Sequence, residues 1–230
     1  MPEKKLNKKL YTHYAIIPAR KGSTGFKNKN IIFFDRLAKF IKSNNFFKKI
    51  IVSTNDDKVI AKAKYWKFEI HKRKLRFSGP KVSIKSTLAN IINEKKLIKI
   101  SNLIIWLFFI PILYREKKTL FKAKKIIEKK NIKSLCSMIK AKNHPFSCWY
   151  IKRGQISQFI KNDIYRRQDL PAAYSHYHYV CCFKVKEILN LNSELLNINT
   201  MPFILSENLS SKLIEIDTKA DFIKFKNRNK

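Results

Sequence analysis

The sequence predicts an α/β fold built on a doubly wound, mostly parallel sheet. Short apolar runs alternate along the chain with longer amphipathic segments, the pattern of strand–helix–strand units. At 230 residues, 45% of them hydrophobic, the chain is long and apolar enough to bury the core of one such domain. A turn with two glycines and several cations directly follows the first apolar run, at the strand end where such sheets bind ligands.

Taken in order, Tyr14–Ile17 is the first strand, a short buried run. Residues 34–43 read as a short amphipathic helix, and Lys49–Ser53 as the second strand. Asp56–Tyr65 is a helix with Asp56 and Asp57 at its positive N-terminal end. Lys67–His71 is a third strand, and Ser83–Glu94 a helix with Ser83 as its cap. Leu103–Phe108 is the most buried strand; the run containing it extends to Leu113, includes Pro111 and is too short to span a bilayer. Lys117–Lys130 is a lysine-coated helix and Ser134–Ile139 the next strand. Residues 141–175 are irregular and rich in aromatic and charged side chains. Tyr177–Val180 alternates as a strand, a helix begins near Thr218, and the end after Lys224 is expected to fray. No repeat or long linker divides the chain, so 1–230 reads as one domain.

Fifty basic residues against sixteen acidic ones give a net charge of +34. Such a balance raises nucleic acid or an anionic membrane as partners. The basic residues are mostly lysine and are spread throughout, and no helix-turn-helix, zinc-finger or RRM signature appears, so nucleic acid is not the expected main role. Lys, Asn, Ile and Phe, all abundant, share A/T-rich codons, which accounts for much of the lysine but not for the shortage of acids. The four cysteines show no C-x-x-C spacing and read as free thiols in a reduced, cytoplasmic setting. His176 and His178 lie near Cys181 and Cys182, but the strand reading of this segment is preferred to a zinc site. The N-terminal lysines precede too few apolar residues for a signal peptide.

The turn after the first strand reads Ile17-Pro18-Ala19-Arg20-Lys21-Gly22-Ser23-Thr24-Gly25-Phe26-Lys27-Asn28-Lys29-Asn30. Backbone N–H groups freed by the glycines, with Arg20 and the lysines, make a phosphate cradle; a plain basic surface turn is the alternative. It fits neither G-x-x-x-x-G-K-[ST] nor G-x-G-x-x-G. Further on come Val52-Ser53-Thr54-Asn55-Asp56, then Arg166-Arg167-Gln168-Asp169-Leu170-Pro171, then Glu215-Ile216-Asp217-Thr218 with Asp221. In this order and spacing the chain resembles the acylneuraminate cytidylyltransferases, which make CMP-sialic acids. That family reads approximately I-P-A-R-x-G-S-K-G-x-x-x-K-N, V-S-T-D, R-R-Q-D-L-P and D-I-D-T-x-x-D. The first and third motifs are specific, and the matches span most of the chain.

The resemblance implies a Rossmann-like fold of the nucleotide-diphospho-sugar transferase kind. It implies transfer of CMP from CTP to a sialic-acid-like nonulosonic acid, with release of pyrophosphate. Arg20, Lys29 and Asp217 match catalytic positions. Arg20, Gly22, Ser23, Lys29 and Asn30 would hold the nucleotide. Arg166, Arg167 and Gln168 would grip the sugar carboxylate and its neighbours, Arg by a bidentate fork. Asp217 and Glu215 would hold Mg²⁺, Glu215 standing where the family has aspartate. Segment 141–175 would form a sugar-binding and dimerisation arm of a homodimer. Read without the resemblance, Arg166 and Arg167 could be a solvated pair, a reading the adjoining Gln168-Asp169-Leu170-Pro171 weakens, and Asp217 is equally a helix cap. Asp56 and Asp57 read as helix-end carboxylates, and Lys21 and Lys27 as exposed cations.

Several positions depart from the family. Thr24 replaces the loop lysine, and the stretch between Asn30 and Val52 is short and lacks G-x-P-L-I. The polar wall L-Q-P-T-S-P-L-R is the greasy Leu107-Phe108-Phe109-Ile110-Pro111-Ile112-Leu113-Tyr114-Arg115, and Tyr177-His178 stands where Asn-Gly is usual. These departures keep a second expectation open: a weakened or inactive relative that binds nucleotide or nucleic acid through its basic surface.

Overall fold

A computed structural model describes residues 10–22 and 25–228. The apolar runs form one seven-stranded sheet with helices on both faces, as the sequence predicts. The strands are β1 (Thr12–Pro18), β2 (Phe47–Thr54), β3 (Glu69–Lys72), β4 (Leu103–Leu107), β5 (Ser134–Lys140), β8 (Tyr174–Lys184) and β9 (Met201–Ile204). A separate hairpin joins β6 (Trp149–Lys152) to β7 (Gln155–Gln158). The sheet order is β3-β2-β1-β4-β8-β5-β9, with every neighbouring pair parallel except those made by β8.

Every residue of the central strand β4 is buried, because helices cover both of its faces. On one face α1 (Lys29–Lys42), α2 (Asp57–Tyr65) and α4 (Lys117–Ile127) pack Phe34, Leu37, Val59 and Leu120 against Ala15, Ile17 and Trp106. On the other face α3 (Ile84–Glu94) packs Leu88 and Ile91 against Ile16, Ile51 and Ile105. Two short helices close the chain, α5 (Glu207–Lys212) and α6 (Lys219–Arg228). Among the described residues, no helix is long and apolar enough to cross a membrane.

Several boundaries depart from the sequence reading for local reasons. α1 begins five residues before its expected start, at Lys29, because Asn28 enters the left-handed region (φ 61°) and ends the turn there. Asn28 makes no side-chain cap bond, so no standard start signal marks the site. Lys67 (φ 57°) belongs to the turn that ends α2, where Phe68 N–H donates to the Ala63 carbonyl, and β3 starts only at Glu69. The chain end does not fray at Lys224: α6 continues to Arg228, held by the buried Phe225. Asp56 and Ser83 cap α2 and α3 as expected, accepting from the N–H groups of Lys58 and Ser86.

Segment 141–175 holds the β6–β7 hairpin, turned by Arg153 (φ 53°) and Gly154 (φ 77°). Trp149, Tyr150, Ile151, Ile156, Phe159 and Tyr165 are all exposed on it.

Candidate active site

The loop after β1 is clamped to β2. Ala19 N–H donates to the Ser53 carbonyl (2.9 Å), and the Thr54 hydroxyl donates to the Ala19 carbonyl (2.6 Å). Lys21 N–H donates to the Asn55 side chain (2.8 Å), and the Asn30 amide donates to the Arg20 carbonyl (3.0 Å). The Val52–Asp56 run is therefore the scaffold of the loop. Gly22 takes φ 83°, a conformation a side chain would strain. Ser23, predicted to complete the cradle, and Thr24 lie outside the described residues. Lys21 and Lys27 are exposed, as expected.

The early start of α1 brings its N-terminus to this loop, with Lys29 and Asn30 in the first turn and no acidic residue there. The helix dipole at such an end favours an anion, while the Lys29 and Ile31 N–H groups already donate to the Phe26 and Asn28 carbonyls (3.2 and 2.9 Å). The Lys29 ammonium donates to Asp217 Oδ1 (2.5 Å) and to the Ile216 carbonyl (3.3 Å). The loop also meets the Asp217 segment directly: a Cβ on Gly25 would collide with the Asp217 carbonyl oxygen. Ile216 N–H donates to the Pro111 carbonyl (3.1 Å), and Glu215 pairs with Ile112. The three distant segments around 20–30, 109–112 and 215–218 thus converge.

Between them lies a cleft of about 440 Å³, lined by Arg20, Lys29, Asn30, Glu215 and Asp217 together with Arg73, Phe109 and Pro111. It sits at the carboxyl ends of β1 and β4, where sheets of this kind bind ligands. A larger cavity, about 730 Å³, opens near Tyr11 and Asn102, just before those strands begin, and holds none of the predicted residues.

Asp217 does not cap α6. Thr218 does: its hydroxyl accepts from Asp221 N–H (3.2 Å), while the Asp221 carboxylate reaches back to accept from the Asp217 and Thr218 N–H groups (3.3 and 2.8 Å). This leaves the Asp217 carboxylate, 64% exposed, facing Lys29 and the cleft. Packing around the Glu215 carboxyl raises its pKa, and the Asp217 charge adds to the rise. Two mutually repelling carboxylates offering hard oxygen donors fit a divalent cation such as Mg²⁺.

Arg73 is a cleft residue that the sequence did not single out. Its Nε donates to the Ser53 hydroxyl (3.2 Å), and one terminal nitrogen, buried, has no partner. Burial, then the nearby Arg20 charge, lowers its pKa to about 10. Beneath it the Ser53 hydroxyl meets His71 Nδ1 (3.0 Å), and His71 Nε2 meets Glu94 (3.0 Å). Burial lowers the His71 pKa, so the neutral ring accepts from Ser53 and donates to Glu94. Nothing in the local sequence separates Arg73 from the basic residues around it.

The apolar 107–115 stretch is held by its own arginine. Arg115 donates to the Tyr179 and Phe109 carbonyls (3.0 Å each) and stacks over Phe108. Arg166, Arg167 and Gln168 stand apart: all three are exposed on the arm, and none lines the cleft. Arg166 forms a bidentate pair with Asp169 (2.8 and 3.1 Å).

No family model matches the chain, and no curated protein matches it. Solved structures do. CMP:2-keto-3-deoxy-manno-octonic acid synthetase, complexed with CTP, superposes with a TM-score of 0.65 at 12% identity, over 93% of this chain and 96% of that one. A 4-diphosphocytidyl-2C-methyl-D-erythritol synthase gives 0.63 at 10% identity, over 96% and 99%. A cytidylyltransferase from Leptospira borgpetersenii serovar Hardjo-bovis gives 0.57 at 14% identity, over 93% and 84%. The chain has the fold of these enzymes, and the doubly wound sheet read from the sequence is the one observed. At such identities the likeness is one of fold.

Proposed function

We propose that the protein is a cytidylyltransferase that joins CMP from CTP to a sialic-acid-like sugar acid and releases pyrophosphate. A sugar hydroxyl attacks the α-phosphorus, and the bond from that phosphorus to the bridging oxygen breaks. The observation that carries this reading is the convergence of Arg20, Lys29 and Asn30 with Asp217 in one cleft, on a fold shared with a CTP-complexed synthetase.

Arg20, Gly22, Ser23, Asn30 and the N-terminus of α1 bind the triphosphate. Lys29 holds Asp217 in place and adds positive charge beside the phosphates. Asp217 and Glu215 hold Mg²⁺, which when bound neutralises the charge developing on the phosphates. Arg73 adds positive charge at the cleft wall. Arg166, Arg167 and Gln168 recognise the sugar carboxylate and its neighbours. An isolated two-stranded hairpin is marginal in water, so the exposed aromatic residues on 141–175 are covered in a homodimer. Docking on a second copy carries the arginine pair towards the partner's cleft. The reaction belongs in the cytoplasm, where the free thiols stay reduced.

One observation favours a second reading: the wall at Phe109 and Pro111 is apolar where the resembled family is polar. On that reading the protein is a catalytically weakened relative that binds nucleotide or nucleic acid through its basic surface. Pyrophosphate release with CTP, Mg²⁺ and a panel of nonulosonic acids decides between them. Release with at least one sugar acid supports the synthetase. CTP binding with no release by any acid supports the weakened relative.

A further inference from the structure

Away from the cleft, β8 carries a defect that gathers metal-binding side chains. Cys136 pairs directly with Cys181 across β5 and β8, and Met138 pairs with His176. Between those pairs β5 advances two residues and β8 five, so β8 bulges. The Ser137 hydroxyl closes the bulge, accepting from Val180 N–H (3.0 Å) and donating to the Tyr177 carbonyl. Plain alternation would put His178 on the sheet face opposite Cys181. The bulge reverses the phase: Tyr177 and Tyr179 pack with the α1 side, while His178 comes round to the cysteines.

A Cys136 thiol, a Cys181 thiol and a His178 nitrogen all lie within 4.8 Å of one another. His176 and Glu194 gather round the same imidazole, also within 4.8 Å. Two of the chain's four cysteines and two of its five histidines therefore meet here. We propose that Cys136, Cys181 and His178 bind a zinc-like transition-metal ion.

Thiolate and imidazole donors select such ions over Mg²⁺, and four tetrahedral ligands are the usual zinc complement. Both cysteines are buried, and a metal binds them as thiolates. Binding therefore expels their protons to solvent as two metal–sulfur bonds form. Glu194 already orients the histidines: its backbone carbonyl lies 3.1 Å from His178 Nε2, and its carboxylate 3.4 Å from His176 Nε2. The site has a structural consequence for the cleft, because the His178 ring packs on Phe109 (5.4 Å between centroids), which lines it. A metal here would pin the bulge and brace that wall. The proposal stands independently of nucleotidyl transfer.

The test is titration of the reduced, full-length protein with Co²⁺ alone, followed by its sulfur-to-metal charge-transfer absorption, with Zn²⁺ as competitor. Stoichiometric absorption that Zn²⁺ abolishes is expected. It should be lost in Cys181→Ser and in His178→Gln and retained in Cys148→Ser, whose thiol lies outside the cluster. Should Cys181→Ser fail to fold, the wild type and His178→Gln decide alone. Folded wild-type protein without thiolate–cobalt absorption overturns the site, as does equal absorption in His178→Gln. A Cys136–Cys181 disulfide in protein isolated without oxidant, found by mass, overturns it too.

Discussion

The cleft and the arm use the same residue in opposite settings. In the cleft, Arg73 is enclosed, and its Nε donates to the Ser53 hydroxyl. Arg166 is exposed and satisfied by its neighbour Asp169, and Arg167 is exposed beside it. An enclosed guanidinium needs little reorganisation to meet an anion. An exposed one is screened by salt and loses side-chain entropy on binding. On the proposed reading, the phosphate half of the site is organised within one chain, while the sugar half waits for a second surface to enclose it. This also separates the two halves experimentally: changes in the cleft should affect everything, and changes on the arm only the sugar.

The largest effect is expected from Asp217→Asn. It keeps the shape but removes the charge that faces Lys29, so Mg²⁺-dependent turnover should fall roughly 100-fold or more, with the thermal midpoint little changed. A wild-type rate in steady-state assays would remove the metal from the cleft. Gly25→Ala comes next. Its methyl group has no room against the Asp217 carbonyl, so loop and Asp217 segment must separate, weakening CTP binding by about 1–3 kcal/mol. Unchanged affinity would mean that their contact does not shape the site. Arg167→Lys should cost about 1 kcal/mol in kcat/KM for the sugar and leave CTP affinity alone, since lysine lacks the planar fork. A loss shared equally by sugar and CTP would dissolve the division between arm and cleft.

The smallest effect concerns pH. Burial lowers the His71 pKa from 6.5, so the folded protein holds this ring neutral. The stability it contributes is complete above pH 6.5 and is lost as pH falls towards the lowered folded value. Glu94, held down to about 2 chiefly by its hydrogen bonds with Lys74 and Asn90, stays ionised throughout. Hydrogen-exchange protection factors, corrected for the intrinsic pH dependence, should therefore fall around β3 and Arg73 between pH 7 and 5 and change little in the arm.

Much of the sheet was legible because β1, β2 and β4 are buried runs whose period needs no tertiary context. The antiparallel insertion of β8 was not legible: a strand run states its faces, not its neighbours. The true start of α1 was hidden because Asn28 turns the chain without a capping side chain. At the site, Arg20, Lys29 and Asn30 stood out through the loop that carries them. The capping alternative for Asp217 stayed open until Thr218 and Asp221 were seen to form the capping box. Arg73 was invisible, because its place in the cleft comes from burial over Ser53 and His71 rather than from any local pattern.

The central claim is that the loop after β1 and the N-terminus of α1 hold a nucleoside triphosphate. Calorimetric titration of wild type and Arg20→Ala with CTP and Mg²⁺ tests it most directly. The wild type should bind, and the variant should bind more weakly by roughly 1.5–3 kcal/mol, the worth of a charge-assisted hydrogen bond. Equal affinity in the two proteins, or no heat of binding in the wild type, would contradict it.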